Sequence, residues 1–254
     1  MIFLWIMSGH SKWATIKHKK AATDAKRGKM FTRIIKEIMI AARNGGDPDM
    51  NPRLRTAIIA AKGVSMPSDN IKKAVLRGTG ELEGGQIDEV TYEGYGPGGT
   101  AVIVQVATDN KNRTVSDIRH VFGKNGGNMG EQGSVAWMFE RKSQIIISKE
   151  DAPDEDTLMG IVLDAGADDL VDDGDSWEVL SAVENHEPVA AAIEKAKIKT
   201  EASAIAMVPK NLIKLEGKNA SAMLRLNEAL EDNEDVQNVY SNFDIDESEL
   251  EKIA

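Results

Sequence analysis

The sequence has no cysteine. Disulfides, thiolate metal sites and cysteine nucleophiles are thereby excluded, and a reducing cytoplasm suits the chain. Aromatic residues are only 5 %, so Leu, Ile, Val, Ala and Met must supply the core. No apolar run approaches the roughly 18 residues that a membrane-spanning helix requires. The stretch 1–7 (Met-Ile-Phe-Leu-Trp-Ile-Met) is apolar but only seven residues long. It has neither the basic start nor the small-residue cleavage site of a signal peptide. Initiation at Met7 is the simplest account; the alternative is a short apolar tail folded onto a neighbouring surface. A phosphate-binding Gly-x-x-x-x-Gly-Lys-Ser/Thr pattern is also missing. The four histidines are scattered, and His10 and His18 have no acidic or thiolate ligands nearby. An enzyme would have to be built on His120 and Glu131, which stand in no catalytic spacing. No catalytic residue, metal, cofactor or small-molecule substrate is therefore expected.

What the chain does have is charge sorted by position. Residues 8–80 hold ten Lys and six Arg against five acids, a net of +11. The rest of the chain holds −21, which gives the overall −10. A polyanion is attracted to the head and repelled by the body. The cations Lys12, Lys17, Lys19, Lys20, Lys26, Arg27, Lys29 and Arg33 are the candidate phosphate contacts, with Trp13 and His18 interleaved among them. A solvated charged surface with no partner is the plainer reading, and the sharpness of the asymmetry weighs against it.

Residues 8–20 show no apolar periodicity, and the pattern predicts an extended or mobile arm. Met30, Phe31, Ile34, Ile35, Ile38, Met39 and Ala42 then recur at helical spacing up to Gly45-Gly46. Asn51-Pro52 predicts a capped second helix, and Ser68 a third. Gly78, Gly80 and Gly84-Gly85 mark a linker. Strands are predicted at 90–92, 101–107 and 134–140, with a helix capped by Asn112 between the last two, as one βαβ unit. Then follow strand 144–148, helix 154–165, strands 169–171 and 177–181, helix 188–197 and strand 202–208, the ferredoxin-like order. A strand at 212–215, a helix at 220–230 and a strand at 236–242 complete the chain. The expected class is α+β: a three-helix domain at 1–80, a discontinuous α/β domain at 81–141 plus 210–254, and a ferredoxin-like domain inserted at 142–209.

Gly94-x-Gly96-x-x-Gly99 matches the dinucleotide fingerprint by letter, but it precedes a strand rather than opening a helix. Its plain reading is a turn; its functional one is a backbone surface that offers Tyr95 for stacking. The acidic stretch 169–180 has Val171 and Leu180 where a calcium loop needs ligands, so a solvated turn is expected. Residues 109–113 form a strand-to-helix turn. They are either a helix cap with solvated charges or a phosphate contact through Lys111 and Arg113, extended by Lys124 and Asn125.

Several segments carry a resemblance. Gly9-His10-Ser11-Lys12-Trp13, Arg27-Gly28-Lys29-Met30-Phe31, Met66-Pro67-Ser68-Asp69-Asn70-Ile71, Tyr92-Glu93-Gly94-Tyr95-Gly96-Pro97-Gly98-Gly99, Thr108-Asp109-Asn110-Lys111-Asn112-Arg113-Thr114 and Gly133-Ser134-Val135-Ala136-Trp137 are similar to the YebC/PmpR family. The resemblance covers position 7 to nearly the C-terminus. It implies a cytoplasmic bacterial protein of three domains, one helical and two α/β. It also implies a probable DNA-binding transcriptional regulator. The family is similar as well to a mitochondrial translational activator, which keeps ribosomal or messenger RNA, and the ribosome itself, open as partners. Residues 1–6 precede the family's usual start. The letters do not decide between DNA and RNA. The third helix offers only Lys72, Lys73 and Arg77, which weighs against sequence-specific reading of a major groove.

Overall fold

A computed structural model describes residues 24–253, with side chains from Gly28 onward except at 247 and 251. Three helices come first: α1 (Asp24–Ala42), α2 (Pro52–Gly63) and α3 (Ser68–Thr79). Asn51 accepts the Leu54 N–H at 3.1 Å, so it caps α2. Its amide donates to Ala41 O and Gly45 O, both at 2.8 Å, which ties the end of α1 to the start of α2. Ile34, Ile38, Leu54, Ala57, Ala61, Ile71 and Ala74 fill the space between the helices. Their core continues onto Ile87 and Ala107 of the next unit. α3 runs past Gly78 and ends on Gly80 at φ 83°.

Next come β1 (Asp88–Tyr95), β2 (Ala101–Thr108), α4 (Lys111–Lys124) and the short β3 (Asn128–Met129). β4 (Phe139–Ser148), α5 (Glu155–Asp164), β5 (Asp169–Asp172), β6 (Ser176–Ser181), α6 (His186–Lys195) and β7 (Ala202–Pro209) follow. The chain closes with β8 (Ile213–Lys214), α7 (Gly217–Glu231), β9 (Val236–Ser241), β10 (Phe243–Asp244) and α8 (Glu247–Ile253). One antiparallel sheet has the order β3-β1-β2-β9 and a second has the order β5-β6-β4-β7. β9 therefore completes the first sheet from beyond the second.

Each sheet is covered by helices on one face and by the other sheet on its back. Val102, Val104 and Val106 pack with Ile118, Phe122, Met223 and Leu226 of α4 and α7. Ala101 and Ile103, on the opposite face of β2, meet Phe139, Ile146, Ala202 and Ala206 of the second sheet. Ile145 and Ile147 turn the other way, toward Leu158, Val162, Val189 and Ile193. A strand buried on both faces needs an unbroken apolar run, and residues 101–104 and 145–147 supply one.

Four expectations are corrected. Residues 134–140 are not one strand: Ala136–Met138 is a 3-10 turn, and β4 begins at Phe139. The reason is Glu93. Its buried carboxylate accepts the N–H groups of Gly133, Val135 and Ala136 at 2.7–2.8 Å, donors that a strand would need for its ladder. α4 instead leads back to β3, which pairs antiparallel with β1, so no βαβ unit forms there. The helix cap is Asn110, which accepts the Arg113 N–H, and not Asn112. Finally, 212–215 shrinks to β8, paired in parallel with β10 outside both main sheets.

Among the described residues, no helix is long and apolar enough to cross a membrane. α1 and α3 touch at backbone level at Gly78, where a Cβ would sit 2.4 Å from Met39 O and 2.6 Å from Ala42 Cβ. Gly78→Ala should force the helices apart and cost about 1–3 kcal/mol, as overpacking does. Urea unfolding of the full chain measures it; an unchanged midpoint would refute the close crossing.

Candidate nucleic-acid interface

Lys29, Arg33 and Lys36 form a ridge on α1, spaced so that they share one face. The ridge meets the acidic turn that follows α7. Lys29 Nζ is 3.1 Å from Asp232 Oδ1. Arg33 donates to the carbonyls of Glu231 and Asn233. Lys36 donates to Glu234 O at 3.1 Å and to Asp235 Oδ1 at 2.5 Å. Helix C-termini attract cations because their last carbonyls lack partners. Burial pushes the Arg33 guanidinium below its usual range, while Glu231 and Asp232 oppose that shift.

Asp235 stands at the centre of this seam and is only 5 % exposed. It accepts from Lys36, from Arg113 at 2.9 Å and from Thr114 Oγ1 at 2.6 Å, with Thr108 Oγ1 at 3.3 Å. Burial alone would raise its pKa. The hydrogen bonds from Lys36, Thr114 and Arg113 outweigh it and hold the carboxyl at about 2.

The segment 108–114 thus caps α4 and clasps Asp235. Arg113 also pairs with Asp109 at 2.9 Å, and Lys111 with Asp88 at 3.2 Å. The Lys111 pair is exposed on both sides and contributes little in salt. Elsewhere Arg53 grips both Glu37 and Glu89, which raises its pKa. Arg43 donates to Ile87 O, and Arg55 to Pro48 O and Asp49 O.

The glycine loop faces inward. A Cβ on Gly94 would lie 2.7 Å from Asn128 O; on Gly96, 2.7 Å from Met223 Sδ; on Gly98 (φ +74°), 2.4 Å from Leu215 Cδ2. These glycines therefore serve close packing. Tyr95, 37 % exposed, donates its hydroxyl to Ser134 O at 3.0 Å. The same carbonyl receives Trp137 Nε1 at 3.0 Å, and Trp137 is 66 % exposed. Lys210 Nζ donates to Trp137 O at 3.0 Å.

The predicted residues fall into four groups. Lys12, Trp13, Lys17, His18, Lys19 and Lys20 lie outside the described residues. Lys26 and Arg27 lie in the first turns of α1, with side chains outside the described set. Lys29, Arg33 and Arg113 converge on 231–235, with Lys111 two residues from Arg113. Tyr95 stands apart, beside Trp137. Sequence reasoning missed Trp137, whose segment resembled a strand. It missed Lys36 and Asp235 as well; Lys36 continues the spacing of Lys29 and Arg33, whereas nothing local marks Asp235.

Because the folded Asp235 pKa lies below the unfolded value of about 3.9, its stabilisation is present above that value and is lost as pH falls toward 2. The shift corresponds to about 2.5 kcal/mol. Asp235→Asn should destabilise by about 3 kcal/mol, since the partly buried Lys36 loses its charged partner and keeps only the Glu234 carbonyl. It should also flatten the acid limb between about pH 4 and 2. Urea titrations across pH measure both; an unchanged acid limb would refute the assignment.

Two family models match the chain. Residues 11–81 match the TACO1/YebC protein N-terminal domain, and residues 87–243 match the TACO1/YebC second and third domain. A "Probable transcriptional regulatory protein" of Solibacter usitatus is 75 % identical over 98 % of this chain and all of that one. One from Koribacter versatilis is 62 % identical, again over 98 % of this chain and all of its own. These relatives are named as regulators and not as enzymes. The crystal structure of a conserved hypothetical protein from Aquifex aeolicus superposes with a TM-score of 0.83 at 44 % identity, covering 93 % of this chain and 98 % of that one. Helices first, mixed sheets after, and matches along nearly the whole length lead to one conclusion: this chain belongs to the TACO1/YebC family.

Proposed function

We propose that the protein is a nucleic-acid-binding regulator, acting in the cytoplasm on DNA, which grips phosphates with its basic N-terminal region. The observation that carries this reading is the sorting of charge, +11 in residues 8–80 against −21 in the rest. The regulatory names of the relatives support it. Lys12, Lys17, Lys19, Lys20, Lys26 and Arg27 lead the grip, with Trp13 and His18 beside them. Lys29 and Lys111 are exposed enough to exchange a carboxylate for a phosphate. Arg33 and Arg113 act from within the seam, as struts that hold the basic region in place. We read the chain as three domains, 1–80, 81–141 with 210–254, and 142–209, the last two ferredoxin-like. The strand order β5-β6-β4-β7, with α5 and α6 on one face, supports this for the inserted unit.

With about six phosphates neutralised, the logarithm of the binding constant for duplex DNA should fall with the logarithm of salt at a slope of about −5. Fluorescence anisotropy between low and moderate salt measures it; a flat response would overturn the reading.

One observation favours RNA and a role in translation. Tyr95 and Trp137 have their polar atoms satisfied by a single carbonyl, which leaves ring surface exposed for stacking on unpaired bases. On this reading the protein sediments with ribosomes in a sucrose gradient of cell lysate, and Trp137→Ala weakens the association; sedimentation only near the top of the gradient counts against it.

A further inference from the structure

We infer that the exposed face of α3, through Lys72, Lys73 and Arg77, is a second phosphate-binding surface of the helical region, separate from the basic arm. The inference rests on the nucleic-acid reading above and extends it to residues not assigned there.

Ten cations between Gly28 and Gly80 have described side chains, and they divide cleanly. Lys29, Arg33, Lys36, Arg43, Arg53 and Arg55 donate to carboxylates or carbonyls of the protein itself. Lys62, Lys72, Lys73 and Arg77 are exposed and hold no side-chain hydrogen bond or ion pair among the described residues. They lie within sixteen positions, three of them on one helix. The α1 ridge is thus committed to the acidic turn, while α3 keeps its charge available.

The faces of α3 are well defined. Ile71 and Ala74 are buried toward α1 and α2, and Gly78 seats against Met39. Lys73 and Arg77 are one helical turn apart and share the outward face with Asn70; Lys72 flanks them. Asp69 is the single acid of this helix. The stem of Arg77 is steadied by Gly84, where a Cβ would lie 3.1 Å from Arg77 Cγ. The four-residue connection from α2 to α3, 64–67, sets the helix at the surface after a short turn, the arrangement by which helical pairs present their second helix to a duplex. A sugar–phosphate backbone is the ligand that three unneutralised cations on one helix accept.

The test uses the full chain with Lys72→Gln, Lys73→Gln and Arg77→Gln combined. These positions are exposed, and circular dichroism with a thermal midpoint checks that the fold is kept. The control combines Lys142→Gln, Lys149→Gln and Lys199→Gln. It removes the same charge from lysines paired with Asp168, Asp172 and Asp151 on the second sheet's unit. The probes are a short mixed-sequence DNA duplex, the RNA duplex of the same sequence and its single strands, titrated across salt. Each lost contact should lower affinity about five-fold at 0.15 M salt and reduce the slope by about 0.9. The α3 variant should thus lose roughly a hundredfold while the control stays within about two-fold. The probe with the largest loss identifies which backbone α3 receives. If the wild type binds and the α3 variant matches the control on every probe, the inference is overturned while the arm-based grip stands. If the wild type binds no probe at any salt, both fall.

Discussion

The architecture depends on one buried carboxylate. Asp235 has given up its water, which is costly for any charge, and is stable as an anion only while its donors stay in place. Those donors come from Lys36 on α1 and from Thr108, Arg113 and Thr114 around the start of α4. Its own carbonyl accepts the Ala107 N–H at 2.8 Å. One side chain thus fixes the helical region, the first sheet and the turn after α7 in a single arrangement. The apolar seam through Ile87 and Ala107 gives adhesion, and the carboxylate gives register.

Opposite charges are sorted along the chain, yet they meet in space. The α1 ridge spends its cations on the acidic turn, so the sequence count of +11 overstates what a polyanion can reach. Reach is decided by which cations lack an internal acceptor, and among the described residues of the helical region, 28–80, those cluster at 62–77. The aromatic pair Tyr95 and Trp137 lies on a different part of the protein, held by a loop that Glu93 organises. A partner touching both surfaces would span the helical and the sheet portions at once.

Much of the fold was legible because local periodicity coincided with burial. The unbroken apolar runs of β2 and β4 and the striped helices reflect what covers them. The misreadings share a cause, a local pattern overridden from a distance. Residues 134–140 have strand chemistry, but Glu93 claims their N–H groups. Lys111 and Arg113 likewise meet partners that the local pattern does not announce, Asp88 and Asp235. The glycine fingerprint opens no helix of the phosphate-binding kind, and its Gly94 and Gly96 answer to Asn128 and Met223, neighbours that only the tertiary fold supplies. Nothing in the letters around Asp235 could announce a partner 199 positions earlier.

That separation also has a history in time. Lys36 leaves the ribosome long before Asp235 is made; at about 5–20 residues per second the lag is roughly 10–40 s. β9, the outer strand of the first sheet, is equally late. Throughout that interval the nascent chain exposes an α1 whose lysines and arginine have no carboxylate waiting for them, next to the ribosome's own RNA. The finished protein closes this ridge only when its last fifth has emerged, so translation itself sets the moment at which the basic region acquires its mature charge.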